Sequence, residues 1–104
     1  MVEPVLEGKR TATTYLYEDD EKYKENDISI LTDINGNDVC LIQTKKIIIT
    51  TFKNITWDLA VLEGENNSLD DWRKEHYNFF KKINSDFNKD TKVVFEIFEV
   101  IEKL

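Results

Sequence analysis

The strand-like and helix-like segments of this chain occupy separate blocks, and this order most constrains its fold. Stretches rich in β-branched and aromatic residues predict strands at 11–17, 27–32, 39–44 and 46–52, with a bend at 45–46, and a last strand at 91–101. Asn35 and Gly36 tolerate the positive φ angles of a tight hairpin turn. We therefore expect the segments on either side of this turn to pair as antiparallel strands.

Helical periodicity is confined to the middle of the chain. Thr56 can cap a short helix over 57–62 that ends at Gly64, and Ser68 can cap a longer one. The apolar face of the longer helix contains Leu69, Trp72, His76, Phe79, Phe80 and Ile83. Because the two helices are inserted together instead of alternating with strands, we predict an α+β domain on a curved or closed antiparallel sheet.

Composition excludes several classes of protein. The chain has 104 residues, enough for one compact domain, and its single cysteine, Cys40, cannot form an internal disulfide. One cysteine and one histidine cannot supply an ordinary structural zinc site, and we expect no metal and no cofactor. The sequence lacks an apolar run of the roughly 20 residues that cross a bilayer, and its N-terminus lacks signal-peptide features. We expect a cytoplasmic protein with no membrane partner.

The net charge of −7 argues against a general polyanion binder whose affinity depends on counterion release. We therefore expect no DNA partner. A contact with RNA has to be made by a local site, because net charge governs long-range steering more than close contact.

A basic and hydroxyl-rich motif stands at the entrance to the first strand, where residues 8–14 read GKRTATT. The two cations supply charge-assisted donors, Gly8 lets the backbone approach a ligand closely, and alternate threonines on a strand share one face. The motif could hold an anion, or it could be a charged turn before a β-branched strand. Its spacing is not that of a nucleotide-hydrolase phosphate loop.

An acidic loop, 63–71, leads into the long helix. The favourable interaction of carboxylates with a helix N-terminus explains Asp70 and Asp71, but Glu63 and Glu65 precede the cap. These two glutamates could act as general acid or base or bind a metal, although the loop lacks EF-hand spacing.

Other reactive or aromatic residues have simpler structural explanations. His76 lies on an apolar helix face, which predicts a core or boundary imidazole with its hydrogen bonds satisfied. Cys40 lies in the middle of a strand, which predicts a buried thiol. Tyr15, Tyr17 and Tyr23 are the candidates for exposed aromatic contacts.

Several segments match those of a known family in order and spacing. They are the motif GKRTAT at 8–13, the hairpin 27–36, VCLIQT at 39–44, the helical segments 60–65 and 68–76, and the final strand at 93–100. Together they resemble the ASCH domain family of small bacterial proteins over nearly the whole chain. The resemblance implies a PUA-like antiparallel β-barrel with two inserted or flanking helices and a single ASCH domain over 1–104. Larger relatives carry a helical segment ahead of the motif, which we expect this chain to lack.

The resemblance also implies a function and a site. ASCH domains have been proposed as RNA-binding modules, and some small bacterial members are amidohydrolases that deacetylate N-acetylated cytidine with a lysine, a threonine and a glutamate. By the motif, Thr13 matches the threonine, and Arg10 stands at the lysine position with Lys9 beside it. The glutamate matches Glu63 or Glu65, because the loop is about two residues longer here. Arginine stays protonated and cannot replace a lysine as general base.

Three functions from different classes follow. The first is an RNA- or modified-nucleoside-binding domain with a local cleft formed by Gly8, Lys9, Arg10, Thr11 and Thr13. The second is a small amidohydrolase acting on N-acylated cytidine-type nucleosides, with a catalytic group of Thr13, Lys9, Glu63 and Glu65. The third is a protein-interaction or regulatory domain. The oligomeric state stays open, and a homodimer in which a second subunit completes the cleft wall is one alternative.

Overall fold

Four antiparallel strands form one curled half-barrel sheet, with helices packed against it. The computed structural model of the chain describes residues 2–18 and 24–104. The strands are β1 (Ala12–Leu16), β2 (Ile28–Thr32), β3 (Asp38–Thr51) and β4 (Lys92–Lys103), in the spatial order β1-β4-β3-β2. The helices are α1 (Val2–Leu6), α2 (Trp57–Ala60) and α3 (Leu69–Ile83), with 3-10 turns at Phe52–Asn54 and Val61–Glu63. The predicted α+β class with an antiparallel sheet is confirmed.

Strand β3 joins two segments that the sequence predicted as separate strands. The expected bend at 45–46 is a register shift between Thr44 and Lys46 in the pairing of β3 with β4. Such a bulge bends a strand and increases its twist without ending the ladder. β3 therefore pairs with both β2 and β4 along its length.

The predicted hairpin joins β2 to β3 through a longer loop than two residues. Asp33 Oδ1 accepts hydrogen bonds from the backbone N–H groups of Asn35, at 2.9 Å, and Asn37, at 3.0 Å. Within the described residues of this loop only Gly36 takes a positive φ, +84°. The side chain of Asp33, which the sequence prediction did not use, thus organises the turn.

The helix caps differ between the two predicted helices. The Ser68 hydroxyl accepts a hydrogen bond from the Asp71 N–H at 3.1 Å, as predicted for the N-cap of α3. Thr56 stands at the N-cap of α2, but its side chain makes no capping hydrogen bond, so this part of the prediction is wrong. α2 has only four residues and continues directly into a 3-10 turn, so a strong cap is not needed to define it. No helix in residues 2–18 and 24–104 is long and apolar enough to cross a membrane.

An aromatic cluster fills the space between the sheet and the helices. The ring of Phe52 stacks on Trp72 of α3 at 5.4 Å between centroids and meets the edge of Phe87 at 5.2 Å. Phe80 of α3 and Phe95 of β4 complete this buried group. Because burying a large apolar side chain contributes about 1.5–3 kcal/mol, this cluster fixes α3 against the sheet.

Of the remaining aromatic and thiol predictions, only the buried thiol is confirmed. Cys40 is fully buried. Tyr15 and Tyr17 are half-buried rather than exposed: the Tyr15 hydroxyl donates to Glu96 at 3.1 Å, and Lys92 Nζ lies 5.1 Å from the centroid of the Tyr17 ring. Tyr23 lies outside the described residues.

Gly64 brings the N-terminal motif into backbone contact with the helical insertion. It ends the Val61–Glu63 turn with φ +71°, and a Cβ atom at this position would lie 2.1 Å from the carbonyl oxygen of Lys9. Next to it, the Thr11 N–H donates to the carbonyl oxygen of Leu62 at 2.9 Å. Only glycine fits both the backbone conformation and the close approach.

This close approach predicts unequal effects of two glycine substitutions. Gly36→Ala, at φ +84° with nothing within 4 Å of the added Cβ, should cost only the backbone strain of about 1–2 kcal/mol. Gly64→Ala adds overlap with the Lys9 carbonyl and should cost about 4 kcal/mol or more. Urea denaturation of both variants measures the difference, and equal losses would contradict the close approach.

Candidate functional site

The carboxylate of Glu63 is buried at the point where the N-terminal motif, β1 and α3 meet. Its side chain is 1% exposed. Oε2 accepts hydrogen bonds from the Thr14 hydroxyl at 2.8 Å and from Trp72 Nε1 at 2.7 Å. Oε1 faces Arg10 Nη2 at 3.5 Å and His76 Nε2 at 3.2 Å. Four groups therefore surround one carboxylate, two on each oxygen.

The electrostatics of this cluster favour an ion pair between Glu63 and His76. Burial alone would raise the pKa of Glu63, but the hydrogen bond and charge of His76, with the bonds from Thr14 and Trp72, hold it below its ordinary value. Burial alone would lower the pKa of His76, but the hydrogen bond and charge of Glu63, the Trp72 carbonyl and the charge of Glu75 raise it above its ordinary value. Each partner thus stabilises the charged form of the other.

Arg10 is buried beside Glu63 and uses both of its terminal nitrogens. Nη1 lies 2.6 Å from Glu65 Oε1 and donates to the Glu63 carbonyl oxygen at 3.5 Å. Nη2 donates to Thr13 Oγ1 at 3.2 Å as well as to the Glu63 carboxylate. Each of the four N–H bonds on the two Nη atoms therefore has an acceptor, whereas the buried Nε has no hydrogen-bond partner.

A cavity of about 360 Å³ opens onto this cluster. It is lined by Arg10, Thr13, Thr14, Glu63, Glu65, Glu75, His76, Phe79 and Phe80. The ring of Phe79 is 58% exposed, and Glu65 is 38% exposed, so both can touch a ligand. A larger depression of about 460 Å³ lies beside Glu65 and Glu75, but neither Arg10 nor Glu63 lines it. The smaller cavity is the candidate site because it contains the charged cluster.

Four of the residues predicted for the site come together here, namely Arg10, Thr13, Glu63 and Glu65. The structure also shows that both candidate glutamates contact Arg10, Glu63 as a buried partner and Glu65 as a partly exposed one.

The other predicted site residues do not line this cavity. Lys9 is 73% exposed and pairs with Glu7 at 3.1 Å, so the structure does not bring it to the position where it would replace the missing lysine. The Thr11 hydroxyl donates to the Leu62 carbonyl at 3.3 Å. Gly8 and Thr11 line a separate hollow of about 260 Å³ that shares only Arg10 with the candidate site.

The sequence analysis did not name six residues of the site among its candidates. Five of them line the cavity, namely Thr14, Glu75, His76, Phe79 and Phe80, and the sixth, Trp72, donates to Glu63. The spacing of Trp72 and His76 places them on one helix face, and their rings stack at 4.2 Å between centroids. His76 is a satisfied boundary imidazole, as predicted, but its partner is the acidic loop. Among residues 2–18 and 24–104, no three His, Cys, Asp or Glu side chains are grouped so as to hold a metal ion.

The two glutamates should differ in their contribution to stability. Glu63→Gln removes the charge between buried Arg10 and His76 and should cost about 3–5 kcal/mol, because it leaves buried charge uncompensated. Glu65→Gln changes a partly exposed partner and should cost about 1 kcal/mol or less. Urea denaturation at pH 6 compares the two, and a small loss in both would contradict the central role of Glu63.

Comparison with known proteins agrees with the sequence resemblance. The ASCH domain of Lactobacillus crispatus JV V101 superposes with a TM-score of 0.83 at 24% identity, over 96% of this chain and 69% of that one. A protein from Enterococcus faecalis V583 superposes with a TM-score of 0.85 at 26% identity, over 97% of this chain and 66% of that one. This chain therefore spans about two thirds of the length of these relatives. A search of curated proteins finds no match. A model of the ASCH domain matches residues 1–102, and the chain belongs to the ASCH domain family.

Proposed function

We propose that the cavity beside Arg10 binds the base of an RNA or of a modified nucleoside. The observation that carries the proposal is that the exposed Phe79 lines the same cavity as the charged cluster around Arg10 and Glu63. Aromatic rings stack on bases, and hydroxyl and carboxylate groups bond to the edges of unpaired bases. At about 360 Å³ the cavity lies at the small end of the range for ligand pockets, which suits a single nucleoside-sized group.

The charges of the cavity favour contact with a base rather than with a phosphate. Its acidic groups are Glu63, Glu65 and Glu75, against which stand Arg10 and His76. The terminal N–H groups of Arg10 already have acceptors, two of them carboxylates, so a phosphate would have to displace one of these acceptors and lie beside the negative charge of Glu63 and Glu65. Glu65 can instead accept a hydrogen bond from an exocyclic amino group or a ring N–H.

The test of base stacking is a binding measurement with cytidine, N4-acetylcytidine and a short single-stranded RNA. Phe79→Ala should weaken binding of the best probe by roughly tenfold or more, because base stacking on an aromatic ring contributes about 1–3 kcal/mol. The matched control is Ile34→Ala, which removes a fully exposed apolar side chain from the β2–β3 hairpin. Calorimetry gives the affinities, and unchanged binding by the Phe79 variant would contradict the proposed contact.

A second candidate function, hydrolysis of an N-acylated nucleoside, is favoured by the convergence of Arg10, Thr13 and the two glutamates in one cavity. The hydrogen bonds distinguish Glu63 from Glu65 as a candidate general base. The oxygens of Glu63 are occupied by four groups, so it is a poor general base. Glu65 is the carboxylate that can take a proton from water as the water attacks the acyl carbon. It can then return this proton to the nitrogen as the C–N bond breaks and the amine leaves.

The hydrolase proposal predicts release of the acyl group from N4-acetylcytidine by the wild-type protein. Glu65→Gln should then lower turnover by roughly 100-fold or more, since it removes the general base. Asp70→Asn, which changes an exposed carboxylate in the first turn of α3, is the control and should leave turnover unchanged. Chromatography of the products measures the rates. Binding without any product would identify the site as one that binds and does not cleave.

A further inference from the structure

His76 makes two hydrogen bonds that a neutral imidazole cannot make together. Its Nδ1 lies 2.8 Å from the backbone carbonyl oxygen of Trp72, and its Nε2 lies 3.2 Å from Glu63 Oε1. A carbonyl and a carboxylate oxygen are acceptors only, and a neutral ring carries one N–H. With Glu63 ionised, both contacts are satisfied only when both ring nitrogens carry protons, which makes His76 an imidazolium.

A proton on Glu63 Oε1 could bond to Nε2 of a neutral His76, but it would remove the negative charge that the surrounding donors favour. Glu63 Oε1 faces the Arg10 guanidinium, and Oε2 accepts from Thr14 and Trp72. A guanidinium and two further donors stabilise the carboxylate form of Glu63, which places the proton on His76. The Trp72 ring also stacks against the His76 ring at an interplanar angle of 20°, a contact that favours a cation over a neutral ring.

The charged groups around His76 come from several segments of the chain. The Val61–Glu63 turn contributes Glu63, α3 contributes Glu75, and the entrance to β1 contributes Arg10, which shares Oε1 of Glu63 with the imidazole. From β1 itself, the Thr14 hydroxyl reaches the same carboxylate. The loop after the Val61–Glu63 turn contributes Glu65, which lines the same cavity and pairs with Arg10. Three carboxylates against one guanidinium leave an environment that favours the protonated ring.

We infer that His76 is a positioning residue for this cavity: its doubly protonated ring fixes the Glu63 carboxylate, which in turn fixes Arg10, and ligand affinity falls when the ring loses a proton. The inference rests on the proposed function of the cavity. The proton that leaves is the one on Nε2, because its contact, at 3.2 Å, is longer than the 2.8 Å contact of Nδ1. Arg10 Nη2 is then the only donor left on Glu63 Oε1. The guanidinium is then drawn toward Glu63 and away from Thr13 and Glu65, which line the cavity.

The sign of the pH dependence follows from this coupling. The pKa of His76 lies above its ordinary value of 6.5, so more than half of the protein has the binding geometry at pH 6.5, and the fraction increases as the pH falls further. The binding geometry is lost as the pH rises through the pKa of His76. Because hydrogen bonds to charged groups contribute about 1.5–3 kcal/mol, we expect the dissociation constant of the best probe to rise by roughly tenfold across this midpoint.

The chain allows a direct test, because it contains one histidine and two tryptophans. An NMR titration from pH 5.5 to 9 follows the single histidine ring and the indole N–H of Trp72, which donates to Glu63, with Trp57 as the control indole. Calorimetry with cytidine, N4-acetylcytidine and the short single-stranded RNA follows affinity over the same range. The inference predicts that the histidine ring signals, the Trp72 indole signal and the affinity all change with pH about the same midpoint, which lies above pH 6.5.

Two variants separate positioning from a purely structural role. In His76→Gln the Trp72 signal and the affinity should no longer change over this range. Glu75→Gln keeps the imidazole ring but removes a charge that favours its protonation, so it should shift the midpoints of the histidine, Trp72 and affinity titrations to lower pH. This variant also provides the test if His76→Gln does not fold. Binding that does not change with pH while the histidine titrates would overturn the inference and leave the proposed function standing. Absence of binding by cytidine, N4-acetylcytidine and the short single-stranded RNA at every pH would overturn both the inference and the proposed function.

Discussion

The buried carboxylate of Glu63 is the interaction on which the rest of the molecule depends. A carboxylate removed from water is destabilising unless hydrogen bonds and opposite charge replace its hydration. Here those partners come from segments far apart in sequence: Arg10 at the entrance to β1, Thr14 on β1, and Trp72 and His76 on α3. The position of α3 relative to β1 is therefore set by the same contacts that shape the cavity.

This arrangement changes how the family resemblance applies to the site. The resemblance assigns catalysis to a lysine, a threonine and a glutamate. In this chain the guanidinium of Arg10 contacts two glutamates and Thr13, which a single ammonium group could not match with the same planar geometry. Because both oxygens of Glu63 are occupied by its structural partners, the proposed function gives the contact with a ligand to Glu65, on the loop that the resemblance indicates to be longer here.

Local patterns predicted the elements of the fold because strand alternation, helical spacing and Ser68 capping are properties of neighbouring residues. Local patterns failed for features that depend on contacts between segments distant in sequence. The bend predicted at 45–46 is present as a bulge in the pairing with β4, but the two segments on either side of it form one strand and not two. Helix α1, with the sequence VEPVL, is too short to show a helical period, and it was not predicted.

The sequence likewise predicted some residues of the site and missed others. The motif GKRTATT and the acidic loop pointed to Arg10, Thr13, Glu63 and Glu65, which the structure brings together. The motif also suggested Lys9, which follows a turn and points into solvent beside Glu7. The contact between Glu63 and His76 joins residues that local patterns treat separately, one as a candidate acid and one as part of an apolar face. Nothing in the spacing of either segment reveals that they meet.

The overall charge and the cavity charge together restrict the kind of ligand that the proposed function involves. With a net charge of −7, the protein repels a polyanion at long range, and the one arginine in the cavity has its terminal N–H groups occupied. Affinity then has to come from stacking on Phe79 and from hydrogen bonds to the edge of the base. These contacts are short-ranged and insensitive to salt, unlike phosphate contacts. Binding as proposed therefore depends on one base and its substituents, and each further phosphate in the ligand adds repulsion instead of affinity.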